Sequence, residues 1–161
     1  MGKQKKPEDP AQKARSSALR LLARREHSRL ELVLKLRQRG IEPGLIEEVL
    51  DEYEHEGWLS DDRFADVYAR QRMDLGYGPL RIQAELQQRG IRFLPEALKE
   101  VDDASWVRTA VRLRERKFGL ADIRDDWPEK ARQARFLGQR GFSAEQVEQA
   151  LDCTAPDTLV D

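Results

Sequence analysis

Cysteine is nearly absent from the chain, with Cys153 alone among 161 residues. That excludes an internal disulfide and a cysteine-built metal cluster, and it fits a reducing compartment. Histidine is almost as scarce. His27 and His55 are the two present, and neither stands in a metal-ligand spacing such as His-Glu-x-x-His. Apolar runs reach only a few residues, so nothing reads as a membrane span. The first lysines are followed by no apolar stretch, so the segment does not read as a signal peptide, and the expected location is cytoplasmic. No glycine-rich phosphate loop is present. The pair Asp61-Asp62 is explained by helix capping, and Cys153 has no base partner in view. An enzyme is therefore not expected, nor is a cofactor or a bound metal.

What the chain does have is one short phrase used three times. It reads Leu36-Arg37-Gln38-Arg39-Gly40-Ile41, then Leu86-Gln87-Gln88-Arg89-Gly90-Ile91, then Leu137-Gly138-Gln139-Arg140-Gly141-Phe142. A fixed period of this size marks one supersecondary unit used repeatedly. Each phrase reads as a helix end. Glycine just past a helix enters the left-handed region without a Cβ clash, and the apolar residue after it folds back onto the last turn. Gly40, Gly90 and Gly141 are thus structural turn glycines. A new helix should open soon after each: Pro43 and Pro95 suit a first helical position, and Ser143 with Gln146 makes a capping box.

Helices placed around the turns fall near 11–25, 28–39 and 43–55, then 61–75, 79–89 and 95–102, then 104–117, 128–140 and 144–151. The fold class is all-α: three tandem three-helix repeats over residues 13–58, 59–103 and 104–152. A basic, disordered segment is expected at 1–12 and a flexible acidic tail at 153–161. Hydrophobic residues make up 39% and charged residues 37% of the chain, which suits amphipathic helices around thin local cores. Ser28 and Glu31 form another capping box. Ser60 reads as an N-cap with Leu59 and Phe64 as its hydrophobic staple, and Phe64, Tyr68 and Leu75 read as a core-facing stripe. Trp58 and Trp106 read as packing between repeats rather than as stacking platforms. Trp127, before Pro128, is open to either role.

Charge is sorted along the chain. Residues 1–40 hold 12 basic and 4 acidic residues, whereas 41–66 hold 1 and 10. The same alternation recurs, with basic first and second helices and acidic third helices. In a helix–turn–helix the helix after the turn enters the DNA groove. Here that helix carries Glu47, Glu48, Asp51, Glu52 and Glu54, which would face phosphates. Groove reading by the third helices is not expected on that ground, and any nucleic-acid contact should come from the first and second helices. An extended protein-binding surface is the alternative.

The stretch Gly57-Trp58-Leu59-Ser60-Asp61-Asp62-Arg63-Phe64-Ala65, followed by Tyr68-Ala69-Arg70-Gln71-Arg72 and Gly76-Tyr77-Gly78-Pro79-Leu80-Arg81-Ile82, resembles the signature of the RecX family, bacterial regulators of the recombinase RecA. The resemblance runs from about residue 15 to 152. Its third unit departs most, with Asp125-Asp126-Trp127-Pro128 before the second helix. The resemblance implies an elongated, curved solenoid. It implies binding to the RecA nucleoprotein filament, in its groove or at its growing end, limiting ATP hydrolysis, strand exchange and repressor co-cleavage. Direct, non-specific binding to single- or double-stranded DNA is the alternative. Candidate contacts with RecA or DNA are Arg20, Arg24 and Arg25 in the first unit and Arg70, Arg72, Tyr77 and Arg81 in the second. Their competing role is pairing with the acidic third helices. No closed oligomer interface is evident, so a monomer is expected.

Overall fold

The computed structural model describes residues 9–154. Among them are nine α-helices and no strand. They are α1 (Pro10–Arg24), α2 (Arg29–Gln38), α3 (Pro43–His55), α4 (Asp61–Asp74), α5 (Pro79–Gln88), α6 (Glu96–Lys99), α7 (Asp103–Phe118), α8 (Trp127–Arg140) and α9 (Ala144–Asp152). No helix is long and apolar enough to cross a membrane. The expected disordered segment lies outside the described residues up to position 8. Residues 10–12, however, are helical, because Asp9 accepts a hydrogen bond from Ala11 N–H and Pro10 presets the first turn. The expected tail lies outside the described residues from 155 onward, but Cys153 is buried. The sixth helix is a single turn rather than the eight residues expected, with Pro95 just before it as its N-cap.

The chain divides into two compact units. The first comprises residues up to Val67 together with Arg89–Ile91, and the second comprises Tyr68–Gln88 and the residues from Arg92 onward.

In the first unit, α1, α2 and α3 enclose a core that includes Leu21, Leu32, Leu36, Ile46, Leu50 and Tyr53. The turn after α2 forms as the phrase predicts. Gly40 has φ +79°, Ile41 N–H donates to Leu36 O at 3.2 Å and Gly40 N–H to Arg37 O at 3.0 Å. Ser28 and Glu31 make the reciprocal capping box. Leu59 and Phe64 are both 2% exposed, as a staple requires, and Ser60 Oγ accepts from Arg63 N–H. Asp61 does more than favour its own helix: it accepts the first N–H of α2, from Arg29, at 2.8 Å. The Arg29 guanidinium then reaches α3, with Glu47 at 2.6 Å and Asp51 and Glu54 at 2.9 Å. Burial alone would lower its pKa, but the three carboxylates outweigh that and raise it.

His27 is 2% exposed. Its Nδ1–H donates to Arg25 O at 3.0 Å, and Nε2 faces Lys35 Nζ at 3.4 Å. Burial is the main reason its pKa is lowered, and the charges of Arg25 and Lys35 add to this against Glu31.

In the second unit α7 packs on α8 and α9, and Arg114 of α7 is fully buried among them. Its guanidinium donates to Gln133 Oε1 (2.7 Å) and to the carbonyls of Cys153 (2.6 Å), Ala121 (2.9 Å) and Ala150 (3.3 Å). One side chain thus satisfies orphan carbonyls at the end of α9, which is why Cys153 is not part of a loose tail. The start of α5 meets the turn after α8. Gly78 N–H donates to Arg140 O at 2.8 Å and Leu80 N–H to Gly141 O at 2.9 Å. A Cβ on Gly78 would stand 2.5 Å from the Gly141 carbonyl carbon. Ile82 and Leu86 are buried, but Leu75, expected in the core-facing stripe, is 61% exposed. The helix ends at Asp74, so Leu75 falls outside the stripe that would have buried it.

Two predictions follow from this geometry. The same phrase should tolerate alanine very differently at its three glycines. Gly40→Ala meets no neighbour and should cost only the left-handed penalty, about 1–2 kcal/mol. Gly90→Ala would place Cβ 2.9 Å from Leu30 Cβ, and Gly141→Ala would overlap Arg81 Cβ, adding about 1–3 kcal/mol of overpacking. Urea denaturation should rank the losses 141 above 90 above 40. For His27, the unfolded chain takes up a proton below about pH 6.5 that the folded ring resists. Stability should therefore fall as pH drops below that value, before the carboxylates titrate, and His27→Gln should flatten the fall in a pH series of thermal melts.

Candidate functional site: an arginine cluster on Tyr77

The end of α4 and the start of α5 build the most distinctive surface of the second unit. Gly76, at φ +87°, reverses the chain. Tyr77 N–H then donates to Arg72 O at 3.1 Å, which lays the tyrosine against the last turn of α4. Arg72 Cζ stands 4.0 Å from the ring centroid. Arg81, four residues after Tyr77 on the first turn of α5, stands at 4.3 Å. Arg140, at the end of α8, stands at 5.2 Å. All three are within cation–π range, worth about 0.5–1 kcal/mol each at a partly exposed site.

Three guanidiniums so close repel one another, and Glu85 relieves part of that. Arg72 Nε and Nη2 grip it from two sides, both at 2.9 Å, and Arg81 Nε lies 3.7 Å away. Burial would lower the Arg72 pKa, but the Glu85 carboxylate reverses the sign and raises it. Arg81 is also fixed by donating to Gln139 O at 3.1 Å. The guanidiniums are thus held in place before any partner arrives, which reduces the entropy lost on binding.

The row continues along α8. Arg140 is 5.3 Å from the Phe136 ring, which also takes Lys117 Nζ at 4.3 Å. Phe118 meets Phe136 edge-on at 5.4 Å, and Arg132 lies 5.0 Å over Phe118. Cations and rings therefore alternate from Arg72 to Arg132. Such a row can bind planar anions such as carboxylates, or phosphates beside stacked bases.

Of the residues singled out by sequence, Arg72, Tyr77 and Arg81 come together here. Arg70 lies on the same helix, exposed, with no ion pair among the described residues. Arg20 and Arg24 are exposed on α1. Arg25 pairs with Glu31 at 3.1 Å. The competing role, pairing of these arginines with the acidic third helices, is not seen among the described residues. Arg15 and Arg29 pair with α3 instead, with Arg15 at 3.3 Å from Glu52. Trp106 is buried as expected, but Trp58 is 49% exposed and lies 5.2 Å from Tyr53. The residues missed were Arg140, Phe136, Lys117, Phe118 and Arg132. Arg140 stands beside the third turn glycine, where Arg39 and Arg89 stand beside the others, so the repeated phrase held a signal that was read only as a turn.

Family models for RecX match the chain three times. The first three-helix domain covers residues 14–52, the second 60–92 and the third 107–151. The regulatory protein RecX of Halorhodospira halophila is 47% identical over 138 residues, 84% of each chain. That of Pseudomonas fluorescens is 45% identical over 139 residues, 85% of this chain and 88% of its own. The crystal structure of RecX from Lactobacillus salivarius superposes with a TM-score of 0.76 at 25% identity, covering 89% of this chain and 97% of that one. A second RecX crystal structure, at 22% identity and a TM-score of 0.77, shares the fold over 90% of this chain and 74% of that one. The three domain matches and the level of identity together establish that the chain belongs to the RecX family.

Proposed function

We propose that this protein is a negative modulator of RecA. It binds the RecA nucleoprotein filament, in the helical groove or at the growing end. There it limits ATP hydrolysis, strand exchange and repressor co-cleavage, and so regulates DNA repair and recombination. The family supports the regulatory role. The observation that supports a contact surface is the cluster of Arg72, Arg81 and Arg140 on Tyr77.

The mechanism asks for no chemistry from the chain. A ligand moves an equilibrium toward the state it binds better. Fixed guanidiniums that match carboxylates in one filament state, and not in another, hold the filament in the first. Two compact units on one chain allow two contacts with one filament, and the second contact gains from the effective concentration set by the first.

A second reading is direct binding to DNA in competition with RecA. It is favoured by the alternation of rings and cations from Tyr77 to Phe118, a pattern suited to stacked bases beside phosphates.

RecA ATPase on single-stranded DNA, titrated with this protein, separates the two. A filament regulator inhibits at far less than one copy per RecA while binding naked DNA weakly. A competitor inhibits only when it coats the DNA, and its affinity falls with salt at a slope of about −0.7 per neutralised phosphate. The expected outcome is the first. Arg70 has no ion pair among the described residues, so Arg70→Glu should raise the half-inhibiting concentration about tenfold, or about 1.4 kcal/mol, with circular dichroism unchanged. Adding Arg72→Glu should deepen the loss and also lower stability, because it sets a second carboxylate against Glu85. Undiminished inhibition by folded Arg70→Glu would remove that residue from the surface.

A further inference from the structure

The third repeat carries an apolar cleft of about 480 Å³ between α8 and α9, away from the Tyr77 row. Its floor is Ala131, Ala134 and Gly138 on α8 with Val147 and Leu151 on α9, and Trp127 stands at its lip. Trp127 is 74% exposed, more than any other large apolar side chain described. An indole left in water beside an open apolar groove marks an interaction surface rather than a finished core.

The first repeat indicates what a closed version looks like. Alignment of Gly40 with Gly141 matches Arg29 to Lys130, Leu30 to Ala131, Val33 to Ala134 and Arg37 to Gly138. In the first repeat Arg29 crosses the groove to Glu47, Asp51 and Glu54. In the third repeat Glu148 and Asp152 stand where Glu47 and Asp51 do, but no ion pair from Lys130 is found among the described residues. Each groove side chain on α8 is smaller than its counterpart. Gly138 also carries a cost, since glycine inside a helix is less stable than alanine. A Cβ there would meet nothing within 4 Å, so packing among the described residues does not require the glycine.

Small residues at this spacing let a second helix approach closely, as ridges settle into grooves. The charge around the cleft selects which helix. On the α9 side Glu145, Glu148 and Asp152 are exposed, and α9 holds no lysine or arginine. Asp126 precedes Trp127, and Lys130 is the one cation lining the cleft among the described residues.

We propose that this cleft receives an amphipathic helix of a protein partner, apolar on the entering face and bearing lysine or arginine along the flank beside α9. This mode of recognition lays spaced apolar anchors into a groove. The site is separate from the Tyr77 surface and stands whether or not the RecA reading holds.

The test uses the full chain and two labelled peptides of about five helical turns. Both have the same leucine face, one with lysine flanks and one with glutamate flanks. Fluorescence anisotropy should give at least about tenfold tighter binding for the lysine peptide. Ala134→Gln and Gly138→Gln, each filling the floor without disturbing the helix, should each weaken binding about tenfold. Tryptophan emission should move to the blue on binding, and Trp127→Ala should abolish that shift. Equal binding of the two peptides, or binding that ignores both floor variants, would overturn the proposal. Self-association of the chain without peptide, abolished by the same variants, would overturn it too, making the occupant a second copy. Loss of RecA inhibition is not a readout here, so failure of this site and failure of the RecA reading remain distinct.

Discussion

Two backbone hydrogen bonds, from Gly78 N–H to Arg140 O and from Leu80 N–H to Gly141 O, join the start of α5 to the end of α8. Helix starts leave N–H groups unpaired and helix ends leave carbonyls unpaired. Here each set satisfies the other, and the two helix dipoles meet with opposite partial charges. The approach is so close that a side chain on either glycine would collide with backbone. The same junction delivers Arg140 to the Tyr77 ring and places the Gln139 carbonyl where Arg81 can reach it. A backbone constraint therefore sets the geometry of the surface proposed for binding.

The corresponding ends elsewhere in the chain are closed by other means. At the first turn, Arg39 O takes a hydrogen bond from Lys13 Nζ at 3.1 Å, so the carbonyl that matches Arg140 O is already used. At the start of α8, Asp126 accepts from Glu129 N–H, and Glu129 fills the place that Gly78 holds in α5. Pro128 contributes no N–H at all. Neither place leaves open the group that the junction of α5 with α8 uses. Repeat arrays need such end-specific changes to stop further pairing.

Much of the fold was legible because it rests on local chemistry. The turn glycines, the capping boxes at Ser28 and Ser143 and the staple at Leu59 and Phe64 each depend on residues within one or two turns of each other. What was not legible is of another kind. Asp61 caps a helix that begins 32 residues earlier. Arg114 looks like one more surface arginine in the charged run of α7, yet it is buried by contacts with α8, a loop and the end of α9. Arg140 reaches Tyr77 from 63 positions away (140 − 77). Arg72, Tyr77 and Arg81 were visible because they lie close together in sequence. The rest required knowing which turn meets which helix.

The sorting of charge takes on a sharper meaning once the partners are known. The acidic third helix of the first repeat is not a free face opposing a free basic face. Arg29 and Arg15 answer four of its carboxylates. Two positive charges against four negative ones still leave an excess, so that face stays acidic and repels phosphate. Along the Tyr77 row the balance has the other sign. Arg72, Arg81, Arg140, Lys117 and Arg132 are set against Glu85 and Glu129. Surface pairs contribute little to stability, so the excess is better understood as a field than as a support. A field of one sign would steer an oppositely charged partner to the row of rings, and the fixed guanidiniums would then decide how it sits. That division of labour needs the excess charge and the rigid geometry in the same place, and they coincide around Tyr77.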